Sequence, residues 1–221
     1  MNTLRFTFRG AELAALSSGA LYWEDERLLV VSDLHFGKSA RLSAVGGAAL
    51  PPYETQETLL RLETDLAETG AARVICLGDS FDARGIADEM PERERLWIAR
   101  LQAGRDWTWI EGNHDPGPVA LGGSHRAELR VRELAFRHIA TPDAEGEVSG
   151  HYHPKARLRL RGRALTRPCF LVDRSRLILP AYGAYTGGLH CDTAVLTGLM
   201  APGATAILTG PSPVAIPMPR G

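Results

Sequence analysis

Four short stretches of this chain carry metal-binding and proton-handling side chains in places where folding alone has little use for them. In Trp109-Ile110-Glu111-Gly112-Asn113-His114-Asp115 an apolar run halts at a glycine, and an amide, an imidazole and a carboxylate follow side by side. Asn is a neutral oxygen ligand, His an acid–base group, and Asp a group able to orient the ring. Leu29-Val30-Val31-Ser32-Asp33-Leu34-His35 sets Asp and His two apart beyond another apolar run, and Cys76-Leu77-Gly78-Asp79 ends a third in a carboxylate. Gly150-His151-Tyr152-His153-Pro154 holds a His-x-His, which on extended backbone aims two imidazoles to the same side. Two imidazolium ions there would repel, so the pair points to a metal rather than to packing. One polar turn after a strand is commonplace. Three in succession, in a strand–helix–strand rhythm, are a site.

Such a site needs elements that deliver every cluster to one place. Open α/β sheets do this in the crevice beyond the carboxyl ends of their strands. Arg27–Val31 and Arg73–Leu77 are continuous β-branched and leucine runs, which marks strands buried on both faces. Between them, 36–52 is Gly- and Ala-rich and reads as a loop closed by Pro51-Pro52. A helix follows in which Leu59, Leu62 and Leu66 share one face, with Glu54, Glu57 and Glu63 outward, until Gly70 stops it. Pro91 opens a second helix, expected to bury Leu96, Ile98 and Leu101 and to end near Gly104. Leu4–Phe8, Ala20–Trp23, Leu134–His138, Glu147–Ser149, Leu177–Leu179, Ala194–Leu196 and Ala206–Leu208 read as further strands. A Pro-rich tail over about 210–221 is expected to fray. The pattern predicts one α/β domain over residues 1–221.

Composition narrows the setting. Hydrophobic content of 44% and charged content of 23% are ordinary for a globular chain, and a net charge of −1 makes local charge the informative quantity. Three scattered cysteines, Cys76, Cys169 and Cys191, argue for reduced thiols rather than a disulfide framework or a thiolate zinc site. Cys169, between Pro168 and Phe170, reads as a small buried apolar residue. No apolar run approaches the roughly 18 residues of a membrane span, and no signal peptide is evident, so a cytoplasmic protein with no membrane partner is expected.

One stretch concentrates charge. Lys155, Arg157, Arg159, Arg161 and Arg163 alternate with Ala156, Leu158, Leu160, Gly162 and Ala164, and no acid appears before Asp173. Period two puts all the cations on one face of a strand. A solvated edge is one reading. A track for a phosphate backbone, starting directly after two candidate metal ligands, is the other.

Asp33-x-His35, Gly78-Asp79, Gly112-Asn113-His114-Asp115, a following His and Gly150-His151-x-His153 resemble the motif set of the calcineurin-like metallophosphoesterases, over about residues 27–154. Asp33-Leu34-His35-Phe36-Gly37-Lys38, Gly150–Pro154, Arg167-Pro168-Cys169-Phe170 and Leu179–Gly188 are similar to one branch, the bacterial ligase-associated DNA-damage-response endonucleases. The resemblance implies two mixed sheets packed face to face with helices outside, a four-layer α/β sandwich. It implies one divalent metal held by Asp33, His35 and His153, a second held by Asn113, His138 and His151, and Asp79 bridging the two. It further implies DNA as substrate and a DNA-repair ligase, helicase or exonuclease as partners. Where that pattern often has histidine, in Gly-Asp-x-Phe-His, this chain has Asp82.

Carboxylate, imidazole and amide donors suit Mn²⁺, Fe or Zn. Two such ions lower the pKa of a bound water and clamp the attacking and leaving oxygens of a phosphoryl transfer. His114, without a metal, is the candidate for protonating the leaving oxygen, with Asp115 orienting its ring. His138 is preferred to His125 because it ends an apolar strand-like run, whereas His125 lies in a Gly-Gly-Ser turn; His190 reads as structural or surface. Lys38, Arg157, Arg159 and Arg161 are candidate phosphate contacts. Tyr182 and Tyr185, in a Gly-rich turn, either serve that turn or stack a base. The expectation is a dinuclear phosphodiesterase cutting DNA. A phosphodiesterase or phosphatase for a small nucleotide or other small phosphoester and a non-catalytic scaffold are the alternatives, the last disfavoured because every expected ligand position is filled.

Overall fold

The computed structural model describes residues 2–44, 53–117, 120–160 and 163–220, with the side chains of Ala40, Ser43, Ala44, Arg159, Leu160 and Arg163 left out. Among these residues the strands fall into two sheets. The first runs in sequence order: β1 (Thr3–Phe8), β2 (Ala11–Leu16), β3 (Leu21–Trp23), β4 (Leu28–Val31), β5 (Arg73–Leu77), β6 (Asp106–Ile110) and β7 (Ser124–Arg126). Its first four strands are antiparallel and β4 to β7 are parallel. The second sheet takes β8 (Glu128–Val131), β9 (Leu134–Arg137), β10 (Glu147–Ser149), β12 (Arg163–Val172), β13 (Arg176–Ile178), β14 (Thr205–Leu208) and β15 (Val214–Pro217), with β11 (Lys155–Leu160) paired to β12 as a hairpin.

The sheets face each other across a core that includes Leu28, Val30, Ile75 and Ile110 from one and Phe136, Val148, Phe170 and Leu177 from the other. Helices α2 (Glu54–Thr69) and α4 (Glu92–Gln102), with α1 (Lys38–Ala44) and α3 (Ile86–Glu89), lie on the far side of the first sheet. Helix α5 (Ala194–Leu199) covers the far side of the second through Leu196 and Met200. The expected four-layer sandwich is what forms, and β4 is buried along its whole length because both of its faces are covered. Among the described residues, no helix is long and apolar enough to cross a membrane.

Several expectations are corrected. Lys38–Ala44, expected as part of a loop, is a helix of nearly two turns, since its Ala, Leu and Arg are good helix formers that its Gly-rich surroundings disguised. Residues 45–52 of that expected loop lie outside the described residues. Leu96 is exposed, because α4 buries Glu94, Ile98 and Leu101 at spacings of four and three, and a residue two from Ile98 points away. Glu54 is buried rather than outward, its carboxylate accepting the Ser39 amide at 3.0 Å. Ala194–Leu196 is helical, the period being set by Leu196 and Met200 beyond so short an apolar run. The tail is not frayed: β15 pairs antiparallel with β14, and Met218 N–H donates to Ala204 O.

This architecture levels the strand ends. Val31 pairs with Cys76 and Cys76 with Trp109, so Asp33, Asp79 and Asn113 leave neighbouring parallel strands at one edge. In the second sheet, parallel β9 and β10 release His138 and His151 at that same edge, where His138 Nδ1 lies 2.8 Å from Leu77 O.

Candidate metal centre

Two clusters form there. Ligand atoms of Asp33, His35 and His153 lie within 4.8 Å of one another, and so do those of Asp79, His138 and His151. Each draws its acid from the first sheet and at least one imidazole from the second.

In the first cluster, Asp33 is fully buried, with Oδ2 accepting the His151 amide at 3.0 Å and the Ser32 hydroxyl. Its Oδ1 stands 3.1 Å from His153 Nε2, without hydrogen-bond alignment. Asp33 Oδ1, His153 Nε2 and His35 Nε2 are all buried and all without a hydrogen-bond partner. Three orphaned donor atoms converging on one point are costly to bury unless a cation sits among them. Burial raises the Asp33 carboxyl, but the His153 and His138 imidazoles and the Ser32 hydroxyl outweigh it and hold it below the ordinary value.

The second cluster makes the same demand. His138 Nδ1 donates to Leu77 O, which leaves Nε2 as the lone-pair nitrogen of the neutral ring. Around Nε2 stand Asn113 Oδ1 at 3.0 Å, His151 Nδ1 at 3.2 Å and Asp79 Oδ2 at 3.3 Å. A proton on Nε2 answers one of these contacts; a divalent cation answers all of them. Burial works against charge on His138, but Asp79 and Asp33 prevail and raise its pKa, while burial and the neighbouring His138 lower that of His151. Asp79 is the acid of the second cluster. Burial is outweighed there by His138 and by hydrogen bonds that include the His114 amide at 2.8 Å, so its carboxyl falls to about 2. The residues present fit two divalent cations with nitrogen and oxygen donors.

The backbone is bent to present them. Asp33, His35, Asp79, His151 and His153 all adopt left-handed φ, between 45° and 70°. Non-glycine residues in that region cost of order 1–3 kcal/mol and persist only where their surroundings over-determine them. Close approach fixes the glycines too. A Cβ on Gly150 would lie 1.7 Å from Ser32 Oγ and 2.6 Å from Asp33 Oδ2. One on Gly78, at φ 71°, would lie 2.5 Å from His138 Nδ1.

His114 is half-exposed beside Asp79, its Nε2 4.0 Å from Asp79 Oδ2 and its ring 5.3 Å from that of His35. The expectation that Asp115 orients this ring is corrected. His114 Nδ1 pairs with Asp82 O at 3.0 Å, whereas the Asp115 carboxylate accepts the amides of Ser80 (2.8 Å), Phe81 (3.1 Å) and Gly112 (3.1 Å) and ties the β5 turn to the β6 turn. Burial, with Asp79 nearby, lifts Asp115 to about 6 in spite of those donors. Asp82, where the resemblance broke, has a definite place: Oδ1 meets His35 Nδ1 at 2.9 Å and Oδ2 accepts from Arg41 Nε. Burial would raise its carboxyl, but His35 and Arg41 hold it low. Arg41 was invisible in the sequence; its one signal was its place one turn into a helix that was itself hidden.

The substrate candidates divide. Tyr182 is corrected: its ring is fully buried, its hydroxyl donates to Asp65 Oδ2 at 2.8 Å, and it cannot stack a base. Tyr185 is 42% exposed and remains accessible. Lys38 opens α1, half-buried. On β11, Ala156 and Leu158 pack inward, while Arg157 is exposed with Nη2 3.3 Å from His190 Nε2. The Arg159 side chain and Arg161 lie outside the described residues. His125 joins neither cluster; it sits in β7 with its ring stacked on Trp109. Cys169 is buried as expected, its Sγ 3.5 Å from that of Cys191.

Two packed sheets with paired carboxylate–imidazole clusters at their common edge define a metallophosphoesterase. Residues 26–167 match the calcineurin-like phosphoesterase family, and the chain belongs to it. Among solved structures it is similar to the Pseudomonas putida nuclease MPE, at 32% identity and a TM-score of 0.74, over 96% of this chain and 100% of that one. No curated protein sequence matches it. The nuclease likeness is consistent with the narrower resemblance to the ligase-associated endonucleases.

Proposed function

We propose that this metal-dependent phosphoesterase is a dinuclear phosphodiesterase that cuts DNA, in the repair setting its branch of the family implies. The observation that carries the reading is the convergence of ligand-type atoms on two points: the partnerless Asp33 Oδ1, His35 Nε2 and His153 Nε2 on one, and the Asn113, His151 and Asp79 atoms crowded around His138 Nε2 on the other. Asp33, His35 and His153 hold one ion, Asn113, His138 and His151 the other, and Asp79 serves both. The donor set fits Mn²⁺, with Fe or Zn as the alternatives. Bound there, the ions supply an activated water and charge neutralisation on phosphorus.

The chain's own groups do the rest. His114 Nδ1 donates to the Asp82 carbonyl, which turns Nε2 toward the cluster; in its imidazolium form the ring carries a second proton there, the one it gives to the leaving oxygen. Asp82 and Leu77 hold the rings of His35 and His138 through their outer nitrogens, the usual way a ligand imidazole is aimed. Arg157, Arg159 and Arg161 begin within four residues of His153 in the sequence, and with Lys38 and Tyr185 they are the proposed contacts to DNA.

The test uses metal-supplemented protein on single-stranded DNA, duplex DNA and a small aryl phosphodiester at several salt concentrations. Arg157, Arg159 and Arg161 are then replaced together by Gln. DNA binding is expected to weaken and its log–log salt slope to become shallower by about 0.7–0.9 per lost phosphate contact. Aryl diester hydrolysis, which is too short to reach β11, stays constant. Equal effects on all substrates, or none on DNA, would move the assignment to a small-molecule phosphodiesterase.

A further inference from the structure

A cavity of about 440 Å³ opens at the strand-end edge, on the Asp33 side of the metal centre. Strand register puts it there. Val30 pairs with Leu21 and Leu21 with Ala15, so the β2–β3 turn at Ser17–Gly19 stands at the same end as the close of β4. In the second sheet Ser149 pairs with Ile178, Ile178 with Leu171 and Leu171 with Ala206, which brings Pro168, the turn after β13 and Gly210 to that edge as well. β3 and β2 lie one and two strands from β4, a lateral step of about 5–10 Å. Gly183 joins the two places. It lines the cavity, its N–H donates to Asp33 O at 3.1 Å, and a Cβ on it would stand 2.1 Å from Leu34 O.

The volume falls within the roughly 300–1,000 Å³ of small-ligand sites. Tyr185 lines it, 42% exposed and held at a left-handed φ of 58°. Such a conformation is costly for a non-glycine residue and gathers at ligand clamps. Arg167 is half-buried and, among the described residues, has neither a hydrogen bond nor an ion pair. Its guanidinium lies against Gly210 on the cavity wall, where a Cβ would meet Nη1 at 2.9 Å. Arg61 is already answered, by Tyr182 O at 2.7 Å and Glu57 Oε1 at 3.0 Å, so Arg167 supplies the uncompensated charge. The Thr186 and Thr209 hydroxyls donate to Gly183 O and Pro168 O, which leaves their oxygens able to accept. An accessible aromatic face, a free guanidinium and neutral acceptors are the partners that a base, a phosphate and a sugar require. Arg167-Pro168-Cys169-Phe170 and Leu179–Gly188, which give no metal ligand, both run to this cavity.

We propose that the cavity is the nucleoside subsite next to the scissile phosphate. The base lies on the Tyr185 ring, the sugar beside Thr186 and Thr209, and the next phosphate along the strand on Arg167. The inference rests on the phosphodiesterase reading of the adjoining centre and adds the groups that select a nucleotide over other diesters.

Calorimetric titration of the metal-loaded protein with methyl phosphate, thymidine 3′-phosphate, thymidine 5′-phosphate and thymidine 3′,5′-bisphosphate tests this. One of the two monophosphates should bind more tightly than methyl phosphate, and the bisphosphate more tightly still. Tyr185→Asn is chosen because asparagine tolerates left-handed φ. It should weaken the favoured monophosphate about 5–100-fold relative to methyl phosphate, as the loss of one base stack implies. Arg167→Gln should weaken the bisphosphate at least tenfold more than the monophosphate, and it serves as the independent variant if Tyr185→Asn fails to fold. Arg130→Gln, at an exposed arginine on β8, should change none of these affinities. Equal effects of Tyr185→Asn on methyl phosphate and both thymidine monophosphates overturn the proposal, as does equal weakening of the bisphosphate by Arg130→Gln and Arg167→Gln. Hydrolysis of methyl 4-nitrophenyl phosphate by the same wild-type protein judges the underlying reading separately. Its absence would overturn both, whereas hydrolysis without nucleoside discrimination overturns this inference alone.

Discussion

Replacing Asp82 by Ala isolates what one buried carboxylate does for a metal it does not touch. Asp82 is 1% exposed and holds two partners, His35 Nδ1 at 2.9 Å and Arg41 Nε. With the carboxylate gone, the His35 ring loses the acceptor that keeps its proton on Nδ1 and its Nε2 lone pair toward Asp33 and His153. The neutral ring can then carry its proton on the wrong nitrogen, and it gains rotational freedom. Losing such a partner typically costs 10–100-fold in metal affinity or activity, or about 1.4–2.7 kcal/mol at 1.36 kcal/mol per tenfold. Arg41 is 35% exposed and regains water, so its stranded charge adds little. The assay is aryl phosphodiester hydrolysis against free Mn²⁺ concentration. Asp82→Ala should shift the half-saturating metal concentration upward by 10–100-fold, and saturating metal should restore most of the maximal rate. Asp82→Asn, whose amide oxygen can still accept from Nδ1, should fall between. Wild-type metal dependence in Asp82→Ala, or a loss of rate that no metal concentration restores, would refute the claim that Asp82 acts by aiming His35.

His114→Ala should keep both metals by elemental analysis yet lower turnover roughly 10²–10⁴-fold, with a smaller loss for diesters carrying good leaving groups; loss of metal would make His114 a ligand. Asp79→Asn is nearly isosteric, so the protein should fold while its metal content drops; two tightly held ions in the variant would contradict the bridging role. Asp115→Ala strands three backbone amides and should lower stability by about 1–3 kcal/mol in urea unfolding, whereas a variant of normal stability that has lost only activity would restore the expected role of orienting His114. Tyr182→Phe leaves buried Asp65 with Ser18 as its hydrogen-bond donor and should destabilise by about 1–2 kcal/mol, with DNA cleavage by the folded fraction unchanged.

Much of the centre was legible because each ligand ends a strand, and both the apolar run and the polar stop can be read in one dimension. Asp33, Asp79 and Asn113 announce themselves this way, and His138 was separable from His125 by the apolar run before it. What stayed hidden depends on contacts between distant segments. Asp115 looks like a partner for its neighbour His114, but the donors it serves are backbone amides, which every residue carries and no sequence displays. Tyr182 sits in Ala-Tyr-Gly-Ala, which reads as an exposed turn; only the packing of that turn on α2, 117 residues from Asp65, buries the ring. Asp82 broke the family pattern and was uninterpretable until α1 brought Arg41 to its other oxygen. Local apolar period placed most of the strands, while the α5 segment and β15 are too short and too mixed for any period to register.

The division of the ligands between the two sheets has a consequence during synthesis. On the proposed assignment, Asp33, His35, Asp79 and Asn113 belong to the first sheet, and His138, His151 and His153 follow the strands of the second. Neither cluster holds a full set of donors until residue 151 or 153 has left the ribosome and the second sheet has docked. A nascent or truncated chain can fold its first sheet and still capture no ion tightly. On that assignment a chain with only its first sheet formed lacks a full set of donors at either point, so phosphoesterase activity begins only once the second sheet is in place.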